Sequence, residues 1–284
     1  MSTVGMVGAG YMGSGLGWAL REGGESVVTT LEGRSTRTGT LARQAGLEIL
    51  EDLDAVVRAA DVVLVVVPPE AALAAATSIA EALARTGARP MVADLNAIAP
   101  STMEQVASLL GGVDTVDGSI SGSPPNVRSD GRIYLSGPRA DEVAGLAWRQ
   151  VTPVVVGDRI GTASAVKMCT ASVYKGLSGL MTQALRAAKH YDVAEHVLSD
   201  LAEGGGFRPA RQVTMAATKA WRYVGEMHQI AAAQQAAGLP ADLFEAMAIV
   251  FAELARTDLA QGDPESVDSA VSAAEVLARL TPQG

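Results

Sequence analysis

The chain has 284 residues, of which 48% are hydrophobic and 19% charged, enough apolar mass for one large or two ordinary domains and too much for a disordered chain. Its net charge of −9 argues against nucleic acid as a partner, because neutralising phosphates needs a basic surface. The single cysteine, Cys169, excludes an internal disulfide and a cysteine-rich zinc site, and its apolar surroundings favour packing over chemistry.

The N-terminus runs straight into a strand-like stretch, "TVGMVG", with no basic leader or cleavage site. A helix, "YMGSGLGWALREG", and a second strand, "SVVTTL", follow. "STRTGTLARQAG" and "DLDAVVRAA" read as helices, then "DVVLVVV" as a strand too short to cross a bilayer. "EAALAAATSIAEALARTG" is a helix, "PMVADL" a strand, and "PSTMEQVASLLGG" a helix with Pro100 in its first turn. "TVDGSISG" and "RIYLSG" extend the sheet and "PVVVGD" ends it. Continuous apolar strands alternating with helices imply a parallel sheet covered on both faces.

From about Gly161 no strand pattern remains. "TASAVKMCTASVYKGLSGLMTQALRAAKHYD" predicts a helix of about 30 residues, long for a globular protein and suited to spanning a domain or a subunit interface. "AEHVLSDLAEGG", "PARQVTMAATKAWRYVGEMHQIAAAQQAAG" and "ADLFEAMAIVFAELARTD" are helical by spacing. The chain is therefore read as an α/β protein: an N-terminal Rossmann doubly wound parallel sheet over 1–158, followed by an all-helical C-terminal domain over 159–284. A soluble, cytoplasmic protein without membrane contact is the simplest expectation.

"VGAGYMG" places Gly8, Gly10 and Gly13 in a G-x-G-x-x-G pattern between strand and helix, with Tyr11 and Met12 filling its variable positions. The first glycine allows the tight turn, the second lets the backbone approach a pyrophosphate, and the third lets the helix pack on the sheet. The helix N-terminus then favours the negative phosphates. The loop after the second strand faces the adenosine ribose, where a carboxylate suits NAD and arginine suits the 2′-phosphate of NADP. "LEGRSTRT" offers both. Glu32 is placed past the ribose position, while Arg34, Ser35 and Arg37 form the cradle expected for NADP, with NAD as the lesser reading. Solvated surface arginines are the plain alternative.

Ligands in such sheets bind beyond the carboxyl ends of strands. Pro68, in "VVVPPEA", is expected to border the cofactor. Asn96, in "DLNAIAP", is placed either to hydrogen-bond the nicotinamide ribose or substrate, or to cap a turn. Ser121, Gly122 and Ser123, in "DGSISGSPP", form a turn whose N–H groups suit a substrate carboxylate, or a simple loop. Lys167 lies on a helix among small and apolar residues, where a charge needs a reason. Two readings stand for it: a proton donor to a carbonyl beside the cofactor, or a lysine reaching from the helix surface to water.

The glycine fingerprint, "DGSISGS", and a G-x-A-x-x-x-K opening a long helix occur in an order that resembles the β-hydroxyacid dehydrogenase family over nearly the whole chain. That family includes 3-hydroxyisobutyrate, 6-phosphogluconate and tartronate-semialdehyde dehydrogenases, with imine reductases as a related branch. "VVTTLEGRSTRT", "VVPPEAA", "DLNAIAP" and "RYVGEMHQIA" resemble a 6-phosphogluconate-dehydrogenase-like subgroup. The resemblance implies hydride transfer with Lys167 as the catalytic lysine, Ser121 and Gly122 holding the acid end of a small-molecule substrate, and a homodimer built through the helical domain.

Two departures bear on the substrate. Where the family carries asparagines after the lysine, this chain has Thr170 and Ala171. Where hydroxyacid members carry a lysine–aspartate pair, it has Gly225 and Glu226. Glu226, with His228, is thus expected to face the pocket and suit a cationic or amine-bearing substrate; a surface salt bridge is the plain alternative for Glu226. Retention of Lys167 favours carbonyl over imine chemistry. A non-catalytic NADP-binding regulator is the remaining class. His190, His196 and His228 form no evident ligand cluster, so no metal is expected.

Overall fold

The computed structural model describes residues 1–129, 131–264, 267–268 and 271–281. Two compact units emerge, Met1–Met168 and Cys169–Gly284.

The first unit opens with β1 (Thr3–Val7), α1 (Tyr11–Gly23), β2 (Ser26–Thr30) and α2 (Thr36–Gln44). A three-residue β3 (Glu48–Leu50), α3 (Leu53–Ala59), β4 (Val62–Val65), α4 (Ala72–Thr86), β5 (Met91–Asp94) and α5 (Pro100–Leu109) follow. β6 (Thr115–Ser121), β7 (Gly131–Ser136), α6 (Ala140–Ala144) and β8 (Val151–Gly157) complete one eight-stranded sheet in the order β3-β2-β1-β4-β5-β6-β7-β8. The strand order reverses between β1 and β4, which opens a crevice beyond their carboxyl ends.

Alternation along the strands builds two cores. On β4, Val62 and Leu64 join Leu16 and Leu20 of α1 on one face. Val63 and Val65 join Ile79 of α4 and Met103 of α5 on the other. The sheet is thus doubly wound, as the apolar runs predict. One pairing departs from the parallel pattern: β7 pairs antiparallel with β6, so β7 and β8, parallel to each other, run against the other six strands. The connection from Ser121 to Gly131 is too short to hold the crossover a parallel pair requires. β3 escaped the pattern because it is short and its Glu48 and Ile49 are exposed at the sheet edge.

The long α7 (Thr162–His190) carries the division between the units. Its first two turns belong with the sheet, so the compact unit runs past the change of character at 158–161. In the second unit, α8 (Ala194–Gly205), α9 (Pro209–Ala217), α10 (Ala220–Ala236), α11 (Asp242–Leu254) and α12 (Ala273–Arg279) follow. The stretch read as one helix over 209–238 breaks at Thr218–Lys219. The break lets Val213 and Ala217 of α9 and Met227 and Ile230 of α10 all be buried. Tyr223 meets Phe251 of α11 edge to face, ring centroids 5.2 Å apart. Cys169 corrects the packing expectation: it is exposed, and Met168 beside it takes the buried position. No helix among the described residues is long and apolar enough to cross a membrane.

Candidate active site

The glycine turn after β1 has the shape a dinucleotide needs. Gly8 sits at φ +98, and a side chain there would run into the carbonyl of Val66. A side chain on Gly13 would strike the carbonyl of Gly8, so α1 starts against its own turn only because this residue is glycine. A Cβ on Gly10 would meet nothing within 4 Å. Gly10 is also the N-cap of α1, and no side chain caps that helix end. The turn therefore presents an open backbone surface at a positive helix end, which fits a pyrophosphate. Tyr11 and Met12 are half-buried in the first turn of α1.

A groove of about 420 Å³ runs from this turn, lined by Gly8, Thr30, Glu32, Arg34, Val67 and Ala71 among others. Leu31 to Arg34 form a tight turn closed by the Arg34 N–H bonding to the Leu31 carbonyl at 3.0 Å, with Gly33 left-handed at φ +65. This turn brings Glu32 onto the groove wall with Arg34. Ser35 caps α2, its Oγ accepting from the Thr38 N–H at 3.2 Å. Arg37 lies in the first turn of α2, which holds no acidic residue.

Pro68 is exposed, while Val67 and Ala71 on either side of it line the groove. Asn96 is buried with its amide spent inside the protein. Its Oδ1 accepts from the Val67 N–H at 2.7 Å, and its Nδ2 donates to Asp94 at 2.9 Å. Of its two readings, the geometry is that of a residue pinning the β4 loop to the end of β5. Burial pushes the Asp94 carboxyl up to about 7, against hydrogen bonds from Asn96 and with a smaller push from Asp117.

The structure brings Lys167 and the serine–glycine turn together. Lys167 is half-buried, and its Nζ donates to the Ile120 carbonyl at 2.6 Å, one residue before Ser121. Ser121 and Ser123 are half-buried and Gly122 is exposed at φ +120. This turn also packs on α1, since a Cβ on Gly15 would lie 2.7 Å from Pro124 and 2.8 Å from the side-chain oxygen of Asn126. Fingerprint helix, substrate-type turn and lysine are therefore neighbours within one unit.

What holds Lys167 there is a residue that pattern reading passed over. Asp117 is fully buried on β6. Its Oδ2 accepts from the Gly161 N–H at 2.9 Å, the Ser164 N–H at 3.1 Å and Ser136 Oγ at 2.9 Å. Its Oδ1 accepts from Ser164 Oγ at 2.6 Å. The carboxylate thus caps α7 from the sheet, and Lys167 follows one turn later. Burial raises the Asp117 pKa, and the hydrogen bonds from Ser164, Ser136 and Gly161 oppose that rise. A lone acid in an otherwise buried strand pattern was the available signal.

In the helical unit Glu226 is buried and ion-paired with Lys175, with Arg222 Nε 3.9 Å away. This is neither a surface salt bridge nor an open carboxylate awaiting a cation. His228 is exposed and bonds Glu245 at 2.8 Å. Neither lines the cavity of that unit. No group of three or more metal-ligating side chains occurs among the described residues.

Residues 3–154 match the family described as the NAD binding domain of 6-phosphogluconate dehydrogenase. The chain belongs to this family. Residues 188–254 match a domain of unknown function, DUF1932. A conserved protein of unknown function, described as structurally similar to 3-hydroxyacid dehydrogenases, is 32% identical, with 89% of this chain and 96% of that one covered at a TM-score of 0.66. A Mycobacterium tuberculosis 3-hydroxyisobutyrate dehydrogenase with L-serine is 19% identical, over 94% of this chain and 97% of its own, at a TM-score of 0.69. An imine reductase from Myxococcus stipitatus with NAD+ is 15% identical, over 89% and 93%, at a TM-score of 0.51. The last two share the fold. In the 6-phosphogluconate dehydrogenase NAD-binding domain found here, the glycine turn and groove are the parts that fit a nicotinamide dinucleotide.

Proposed function

We propose that the protein is an NADP-dependent oxidoreductase that moves a hydride between nicotinamide and a small β-hydroxy acid or its semialdehyde. The coarser class, an NAD(P)-dependent oxidoreductase, is supported by the matched domain and by the dehydrogenase fold of its neighbours. The observation that carries the finer reading is the half-buried Lys167, bonded at 2.6 Å to the backbone beside Ser121 and Gly122.

A bound nicotinamide dinucleotide supplies or accepts the hydride. In the reducing direction the Lys167 ammonium gives its proton to the carbonyl oxygen, whose π electrons have moved there as carbon gains the hydride. The product is the alcohol, and Lys167 regains a proton from water. In the oxidising direction Lys167 takes the hydroxyl proton. The N–H groups of the 121–123 turn hold the carboxylate and fix the reacting carbon. Imine reduction is the second reading on this scaffold. Retention of a lysine placed to protonate oxygen supports carbonyl chemistry over it, and over a binding protein without turnover.

NADP is favoured over NAD by Arg34 on the groove wall and by the acid-free first turn of α2 carrying Arg37. Glu32 and Glu81 line the same groove and oppose it; the reading rests on Arg34 there and on Arg37 at the start of α2. A homodimer through the helical unit is supported by α8, a helix with no buried residue, and by exposed Tyr174, Leu180, Trp221 and Ile249.

The test is a hydride-transfer screen with NADPH and NADH against β-hydroxy acids, their semialdehydes and cyclic imines. Turnover of a semialdehyde with NADPH is expected. Turnover of imines alone contradicts the carbonyl reading. In Arg34→Ala with Arg37→Ala, NADPH affinity is expected to fall at least tenfold more than NADH affinity; equal loss contradicts the phosphate assignment.

A further inference from the structure

Two buried acids stand side by side in the sheet. Asp94 on β5 and Asp117 on β6 are register partners on neighbouring parallel strands, and both are buried. Their side chains therefore leave the sheet on the same face, the one that Val65 of β4 shares with Ile79 of α4 and Met103 of α5. Both are held by neutral donors: Asp94 by Asn96, and Asp117 by Ser136, Gly161 and Ser164. Two such carboxylates on adjacent strands disfavour each other's charge.

The two acids are tied to different parts of the site. Asp94 accepts from the Asn96 backbone N–H and from its Nδ2, each at 2.9 Å. This orients the Asn96 amide so that its Oδ1 meets the Val67 N–H at 2.7 Å, and Val67 lines the nucleotide groove. Asp117 instead holds the start of α7, ahead of Lys167. Asp117 is the better stabilised anion, with four hydrogen bonds against two for Asp94. Asp94 is therefore the member that takes up a proton first as pH falls. The charge facing it is that of Asp117; β4 presents Val65, the start of α7 presents Gly161 and Ser164, and α5 presents Met103 while its Glu104 is exposed. Burial, and to a smaller extent that charge, raise the Asp94 pKa to about 7.

We propose that Asp94 is a positioning residue for the dinucleotide: ionised, it fixes Asn96 and through it the β4 loop in the shape the groove needs, so that cofactor binding expels a proton from Asp94 to water. The proposal rests on the dinucleotide reading of the groove. A protonated Asp94 turns one oxygen from acceptor to donor, and that oxygen then faces an Asn96 N–H. The Asn96 amide loses a bond that sets its orientation, and the Val67 N–H loses a fixed acceptor. Bound dinucleotide thus favours the ionised form and lowers the Asp94 pKa in the complex, so affinity rises as pH passes upward through the free value. Asp117 sets where that happens, because its charge holds the free value up. The groove loop and the start of the lysine helix thereby share one electrostatic contact.

The full chain is titrated calorimetrically with NADPH and with NADH between pH 6 and pH 8, as wild type, Asp94→Asn and Asp117→Asn. Titration of the ligand itself is common to all three and cancels in their comparison. Wild-type affinity is expected to rise about tenfold over the interval relative to Asp94→Asn, the limit for one linked proton. Asp117→Asn is expected to move that rise to lower pH. In 13C-aspartate-labelled wild type, one carboxyl signal is expected to titrate near pH 7 in the free protein and at lower pH with NADPH bound, a readout that needs no variant to fold. Wild-type affinity that runs parallel to Asp94→Asn, a rise that Asp117→Asn leaves in place, or a carboxyl titration that NADPH does not shift overturns the proposal while the dinucleotide reading stands. Binding of neither dinucleotide at any pH overturns that reading and the proposal with it.

Discussion

Asp117 and Ser164 are joined by two hydrogen bonds, Ser164 Oγ to Oδ1 at 2.6 Å and Ser164 N–H to Oδ2 at 3.1 Å, and this pair fixes the start of the helix that carries Lys167. Asp117 is a positioning residue. Asp117→Ala leaves the Gly161 and Ser164 N–H groups buried without an acceptor, an expected cost of about 3 kcal/mol by denaturant unfolding. Turnover is expected to fall at least tenfold with NADPH affinity retained, because the glycine turn does not depend on this cap. Ser164→Ala keeps the carboxylate and its backbone bonds, so its losses are expected to be smaller. A merely structural role would leave kcat of the folded fraction unchanged.

Asp94 makes stability depend on pH. Its folded pKa is raised to about 7, so the folded protein keeps a proton that the unfolded chain releases. Stability from this group is full below about pH 4 and is lost as pH rises toward 7, at up to ~1.4 kcal/mol per pH unit. Asp117 is shifted in the same direction and adds the same sign. Unfolding free energies measured between pH 5 and pH 8 are expected to fall with pH, and Asp94→Asn to flatten the slope. Stability that rises over that interval contradicts the assignment.

The three fingerprint glycines separate into two classes. Gly10→Ala adds a Cβ to open space, so the melting temperature is expected to stay within a few degrees while NADPH affinity falls at least tenfold. Gly13→Ala drives a Cβ into the Gly8 carbonyl and is expected to lower stability and binding together. Equal thermal losses in the two variants would contradict the distinction.

How much of this was legible in the sequence follows from how local each cause is. The fingerprint and α1 were legible because strand, turn and helix are contiguous. Lys167 was legible as a charge on a helix of small residues. The Asp117 cap was not, because its partners lie 44 and 47 residues away and spacing carries no trace of them. That Glu32 shares the groove wall with Arg34 was not legible, because a left-handed Gly33 turns the chain there. Glu226 was read as a ligand group because Lys175, its partner, lies far back in the sequence on α7.

That ion pair gives a stability test. Glu226→Gln removes the carboxylate that balances Lys175 in a buried setting and is expected to cost about 3 kcal/mol. Glu226→Leu combined with Lys175→Met removes both charges and is expected to recover most of the loss. A double variant as unstable as the single one contradicts an ion pair as the cause.

The most direct test of the hydride-transfer account is single-turnover oxidation of bound NADPH by the preferred semialdehyde in wild type and Lys167→Ala. The account predicts a rate lower by about 10²–10⁴ with NADPH affinity unchanged. A variant that transfers hydride at the wild-type rate would contradict Lys167 as the proton donor.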